Sequence, residues 1–146
     1  MEQNRASGHK VVFANGCFDL IHAGHVRYLE AAKEMGDLLI AGINGDTSVT
    51  ALKGAGRPLQ PEAERAEIIA SMECVDYVLL FNAPTVDAIL KELRPDVHAK
   101  GTDYTKESVP ERETVLAYGG QIAIAGDSKE HSTKDLIQTI LSKFST

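Results

Sequence analysis

The chain has 146 residues, 43% hydrophobic and 25% charged, which is enough for one domain with a core of its own. Its net charge of −6 argues against a nucleic-acid duplex as partner, since a phosphate backbone is met by a basic surface. No apolar run approaches a membrane span and residues 1–10 contain no secretory core, so the expectation is a cytoplasmic protein with no membrane partner.

Residues 1–9 are polar and read as a flexible lead-in, with residues 10–146 as the domain. Val11-Val12-Phe13-Ala14 is a continuous apolar run, as in a parallel strand covered on both faces. Residues 26–35 read as a helix that stops at Gly36. Between them lie a glycine-containing turn, Asn15-Gly16-Cys17-Phe18-Asp19, and two histidines, His22 and His25, where the helix begins. A helix start offers unpaired N–H groups and the positive end of the helix dipole, a ready-made anion site. Gly16 lets backbone come close to a ligand, and Gly24 keeps the space between the histidines open. Three residues apart, the two imidazoles can share one side of the first turn. That arrangement suits a phosphate that gains charge during reaction. The pair could instead hold a metal with a third ligand from elsewhere, or be structural, but the turn context favours phosphate. Cys17 and Cys74 form no disulfide framework or metal pair by spacing, which suits a reduced compartment.

Residues 37–43 read as a second strand, ending in Asn44-Gly45-Asp46. Polar groups beyond a strand's carboxyl end are where open α/β sheets bind ligands, and they are also good turn chemistry. Residues 47–60 read as a loop with at most a short helical turn, punctuated by Gly54, Gly56 and Pro58. Within it Lys53 and Arg57 offer a point charge and a planar fork to phosphates. Pro61 opens a helix with an apolar stripe of Ala66, Ile69 and Met72, and Arg65 is expected on another face.

A third strand is expected over residues 76–81, then a helix from Pro84 with Val86, Ile89, Leu90 and Leu93 facing the core. A short fourth strand over residues 96–100 contains His98, read as packed. Next come Gly101, where a base could lie close, and Asp103 and Tyr104, with Asp103 able to accept hydrogen bonds from a base or ribose. Residues 110–118 read as a helix, ended by Gly119-Gly120, and residues 121–125 as a fifth strand. After a polar loop, Ser132-Thr133-Lys134-Asp135 caps a last helix, a second place to hold phosphates.

Strands alternating with helices imply an α/β fold: one Rossmann-like domain with a five-stranded parallel sheet and helices on both faces. The ligand crevice of such a sheet opens where the strand order reverses, here between the first and fourth strands. The histidine motif, Asn44 to Asp46, Gly101 to Tyr104, and Ser132 and Thr133 all follow strand ends, so they converge on one edge.

Gly16-Cys17-Phe18-Asp19 followed by His22-Ala23-Gly24-His25 resembles the signature of the cytidylyltransferase-like nucleotidyltransferases. These join a nucleoside monophosphate from a triphosphate to a phosphorylated acceptor. The resemblance runs from about Lys10 to Phe144. Leu52-Lys53-Gly54, Gly56-Arg57-Pro58, Glu64-Arg65, Lys100-Gly101-Thr102-Asp103-Tyr104 and Ala117-Tyr118-Gly119-Gly120 are similar to the adenylyltransferase domain of the bifunctional heptose-phosphate enzymes of lipopolysaccharide synthesis. The resemblance implies transfer of AMP from ATP to D-glycero-β-D-manno-heptose 1-phosphate, giving ADP-heptose and pyrophosphate. It implies Mg2+ bridging phosphate oxygens and leaves a homodimer open. His22, His25 and Lys53 would be catalytic. Gly16, Cys17, Phe18, Gly24, Gly101, Asp103, Tyr104, Ser132 and Thr133 would contact the nucleotide, with no thiol chemistry for Cys17. Asp19, Asn44, Asp46 and Arg57 would contact the acceptor.

Two departures bear on this. Glu130-His131 precede Ser132 where the family carries a basic residue. An arginine near Glu73 and a tryptophan near Asp103, expected of glycerol-3-phosphate cytidylyltransferases, are missing, which ranks that activity second. A non-catalytic nucleotide-binding module is opposed by intact His22, His25 and Lys53. A histidine-metal hydrolase is opposed by the lack of a nearby third ligand.

Overall fold

The run Val11–Gly16 forms the central strand, β1, in the computed structural model, which describes residues 8–127 and 132–145. Around it stand β2 (Leu38–Asn44), β3 (Tyr77–Phe81), β4 (Val97–Lys100) and β5 (Gln121–Ile124), in the order β3-β2-β1-β4-β5. Every neighbouring pair is parallel. The chain steps outward from β1 to β3 and then returns to lay β4 against the other side of β1. The strand order therefore reverses between β1 and β4, where the sequence places the crevice.

Among the described residues, five helices connect the strands, α1 (Ala23–Lys33), α2 (Asp46–Lys53), α3 (Glu62–Ala70), α4 (Asp87–Leu93) and α5 (Arg112–Ala117), and α6 (Thr133–Phe144) follows β5. Side chains alternate between faces along a strand, so β1 splits the core in two. Val12 and Ala14 join Leu29 and Ala32 of α1 and Ile69 of α3 on one face. Val11 and Phe13 join Leu90 of α4 and Val115 of α5 on the other. At the amino edge of the sheet, Asp37, Asp76 and Asp96 accept hydrogen bonds from the N–H groups of Lys10, Leu39 and Val11. Backbone donors there are satisfied by acids.

Two expectations need correction. The segment after Asn44 is a two-turn helix, α2, rather than a loop. Its Thr, Ser and Val residues are weak helix formers, but tertiary contacts override that. Val49 is fully buried, Asn44 Nδ2 donates to Ser48 Oγ at 2.8 Å, and a side chain at Gly45 would collide with the Asn82 amide. Gly54, at φ 97°, ends the helix in a conformation glycine takes without strain. Arg65, expected away from the core, is completely buried. It lies one turn before buried Ile69, on the inner face of α3. Residues 1–7 and the Glu130-His131 departure lie outside the described residues.

Candidate active site

A cavity of about 980 Å³ opens at the carboxyl edge of the sheet across the β1–β4 junction. Its floor is the turn after β1, where Phe18 (φ 50°) and Leu20 (φ 54°) both take the left-handed conformation. For non-glycine residues that costs roughly 1–3 kcal/mol each and persists only where surroundings over-determine it. They do so here. Asp19 accepts from Arg57 Nε at 2.9 Å, from Leu59 N at 2.8 Å and from Gln60 N at 3.1 Å. Leu20 N donates to Gln60 Oε1 at 2.9 Å. Thr133 Oγ1 donates to the Asp19 carbonyl at 2.6 Å, tying α6 to the turn. Beneath lies the hub of the site, the Arg65 guanidinium. It donates to the carbonyls of Cys17 (2.7 Å), Asn44 (2.6 Å) and Gln60 (2.9 Å) and to Asp46 Oδ1 (2.9 Å).

His22 is the N-cap of α1. Its Nδ1 accepts from Gly24 N at 3.1 Å, while His25 Nδ1 accepts from His22 N at 3.2 Å. The histidines thus form a reciprocal capping box with imidazoles in place of hydroxyl and carboxylate. Their rings stack with centroids 3.8 Å apart, and His25 also packs on Phe18 at 5.5 Å. An imidazole that accepts at Nδ1 carries its neutral-state proton at Nε2, so both present Nε2–H donors. Burial, and next the charge of His22, hold His25 down to about 4 against the opposing pull of Asp19. At neutral pH it is a neutral donor.

The cavity wall gathers most of the residues singled out in the sequence. His22, Gly24 and His25 line it together with Gly16, Cys17 and Phe18. So do Lys53 on the last turn of α2, Arg57, Asn44 and Asp19, and on the β4 side Gly101, Asp103, Tyr104, Ser132 and Thr133. Asp46 does not line it, and its Oδ1 is engaged by Arg65 at 2.9 Å. The Asp19 carboxylate is likewise turned to the protein. Burial pulls its pKa up, but the Leu59 N–H, Arg57 and the Gln60 N–H outweigh that and hold it below the usual carboxylate range. Ser132 caps α6, accepting from Asp135 N at 3.0 Å. Burial raises the Cys17 thiol above its ordinary value despite Lys53, Arg65 and Arg57 nearby, so it is a protonated thiol. Among the described residues, no group of three or more His, Cys, Asp or Glu side chains could hold a metal ion.

Sequence reasoning missed Arg65, Lys100 and Glu111. Lys100 ends β4 with its ammonium 4.6 Å above the Tyr104 ring, and Glu111 lies opposite in the same wall. A cation as the last residue of a strand beside the switch point was the available signal.

The buried imidazoles make a stability prediction. His98 is driven down to about 3, first by burial and then by Lys100. In the unfolded chain both histidines titrate near 6.5, so between that value and the folded ones the unfolded state binds more protons. Their stabilisation is complete above 6.5 and is lost as pH falls from there toward 4. Together His25 and His98 should remove on the order of 3 kcal/mol between pH 7 and pH 5. Urea unfolding at the two pH values measures this, and equal stabilities would show that neither imidazole is held neutral.

The cytidylyltransferase-like family model matches residues 13–139. The chain is 46% identical over 145 residues to the bifunctional protein HldE of Pelobacter propionicus, covering 99% of this chain and 30% of that protein. It is 47% identical over 141 residues to HldE of Geobacter metallireducens, covering 97% and 29%. It therefore spans about three tenths of the length of these curated relatives. The crystal structure of a lipopolysaccharide core biosynthesis protein from Thermoplasma volcanium superposes with a TM-score of 0.71 at 26% identity, covering 84% of this chain and all of that one. The histidine motif falls inside the matched region, and the chain belongs to the cytidylyltransferase-like family.

Proposed function

We propose that this chain transfers AMP from ATP to a sugar 1-phosphate, D-glycero-β-D-manno-heptose 1-phosphate fitting best, and releases pyrophosphate. The observation that carries this is the reciprocal histidine cap, which holds two Nε2–H donors in a cavity whose walls supply lysine and arginine. The relatives named HldE and the lipopolysaccharide core protein support the sugar-phosphate reading of the acceptor.

A phosphate oxygen of the acceptor attacks the α-phosphorus in line, and the bond to the pyrophosphate oxygen breaks. No covalent intermediate with the protein is needed, so catalysis is positioning and charge neutralisation. His22 and His25 donate to oxygens of the reacting phosphate, where negative charge grows. Lys53 and Arg57, the latter held by Asp19, neutralise the acceptor phosphate and the triphosphate. The α6 N-terminus, with Ser132 and Thr133, faces the β,γ-phosphates. Gly101, Asp103 and Tyr104 frame the adenosine. Magnesium, where bound, would supply charge neutralisation to the phosphates, a role it fills with few protein ligands. The described residues offer it no protein cage, and no step above depends on one. No helix among the described residues is long and apolar enough to cross a membrane.

Pyrophosphate release with ATP or CTP, against a panel of sugar 1-phosphates and glycerol 3-phosphate, tests the reading. The expected result is turnover with ATP and a sugar 1-phosphate, with kcat/KM at least roughly tenfold above any CTP pairing. Equal or better use of CTP with glycerol 3-phosphate would install the cytidylyltransferase alternative.

A further inference from the structure

The cavity wall on the α4–α5 side carries a charged pair that the roles above leave unused. Lys100 and Glu111 side chains are only 9% and 6% exposed, with Nζ and Oε2 3.9 Å apart, too far for a hydrogen bond. Glu111 Oε2 is buried and has no hydrogen-bond partner among the described residues, although the residue lines the cavity. A buried carboxylate without a donor is incomplete. Asn15 lines the cavity from the same face of the sheet. The His98 ring, 5.8 Å from Phe13, meets Asn15 Oδ1 through Nε2 at 2.9 Å. An amide oxygen only accepts, so His98 carries its proton at Nε2 and the Asn15 NH2 remains for a ligand. The lobe therefore offers a fixed acceptor and a fixed donor above the apolar side chains of Phe81 and Val86.

A carboxylate repels phosphates, so this lobe is unsuited to the triphosphate. The histidine cap belongs to α1, which packs on the opposite face of the sheet. We propose that Glu111 and Asn15 read the hydroxyl groups of the phosphorylated acceptor. Glu111 accepts from a ring hydroxyl, Asn15 donates to a neighbouring hydroxyl oxygen, and Lys100 balances the carboxylate charge. The acceptor class is then a phosphate ester carrying at least two neighbouring hydroxyls. The inference rests on the adenylyltransferase reading and names the part of its site that chooses the acceptor.

Glu111→Gln, which preserves shape, tests it by steady-state kinetics and thermal melts. Hydrogen bonds to a charged group are the stronger kind, so the KM for the sugar phosphate should rise roughly tenfold or more. The KM for ATP should stay near wild type, while the melting temperature should fall, because Lys100 is left buried without its carboxylate. An unchanged acceptor KM, or an equal rise for ATP, overturns the assignment of Glu111 while wild-type turnover leaves the adenylyltransferase reading standing. Wild-type protein that releases pyrophosphate with no sugar phosphate overturns that reading, and this proposal with it. If the variant does not fold, calorimetric titration of the wild type with sugar 1-phosphates lacking single hydroxyls reads the same contact. Loss of affinity on removing one particular hydroxyl supports it, and affinity indifferent to every deletion overturns it.

Discussion

His25→Ala is expected to lower kcat roughly 100- to 1000-fold while moving the KM for ATP little, and His22→Ala to behave alike. Each imidazole donates toward charge that appears only as the α-phosphorus is attacked, so its loss is felt in the transition state more than in the ground state. Each also accepts a backbone N–H at the start of α1, and losing a cap costs about 1 kcal/mol of stability. Turnover should therefore fall far more than stability does. Pyrophosphate-release kinetics and a urea melt on the same preparation separate the two. A variant that keeps wild-type turnover would remove the histidines from the mechanism.

Arg65→Met should be the most damaging change to the fold, destabilising the protein by about 3–5 kcal/mol, the range for removing one partner of a buried charged network. The guanidinium alone joins the carbonyls of Cys17, Asn44 and Gln60 to Asp46. Without it, three elements lose their shared partner and buried carbonyls lose their donors. Lysine should not restore stability, since one ammonium cannot reproduce a planar fork directed at four acceptors. Urea unfolding measures the loss, and a midpoint close to wild type would show that water or neighbouring groups take over the role.

The sheet was legible because its strands are short apolar runs set between glycines, prolines and helix-period segments, and the reversal between the first and fourth strands was expected of such a sheet. The cavity was legible for the same reason: polar residues after strand ends fall on one edge whatever their chemistry. What escaped depends on contacts between distant residues. The helical state of 46–53 is decided by Val49 packing and by the Asn44–Ser48 bond, against local propensity. Arg65 was misplaced because an apolar stripe was sought and a buried cation was not, though its four-residue step to Ile69 was in plain view. Asp46 gave no sign of its partner, Arg65, which lies in another helix. Glu111 gave no local signal, since its place in the cavity wall depends on how the chain before α5 crosses the sheet edge.

Because each imidazole uses its Nδ1 to hold backbone near the other residue, the interval of three between His22 and His25 is the interval from an N-cap to its N3 position. Serine followed by glutamate three residues later closes the same box with no capacity for phosphate chemistry. The interval is thus a property of helix initiation, and only the identity of the two side chains reports turnover. Under relaxed selection for activity, a descendant of this chain could exchange both histidines for an ordinary capping pair and keep its fold. Among related sequences, substitution of the pair by serine and glutamate would then mark lineages that retained the scaffold for binding and gave up catalysis. A pair replaced by residues that cannot cap would mark lineages losing the domain itself.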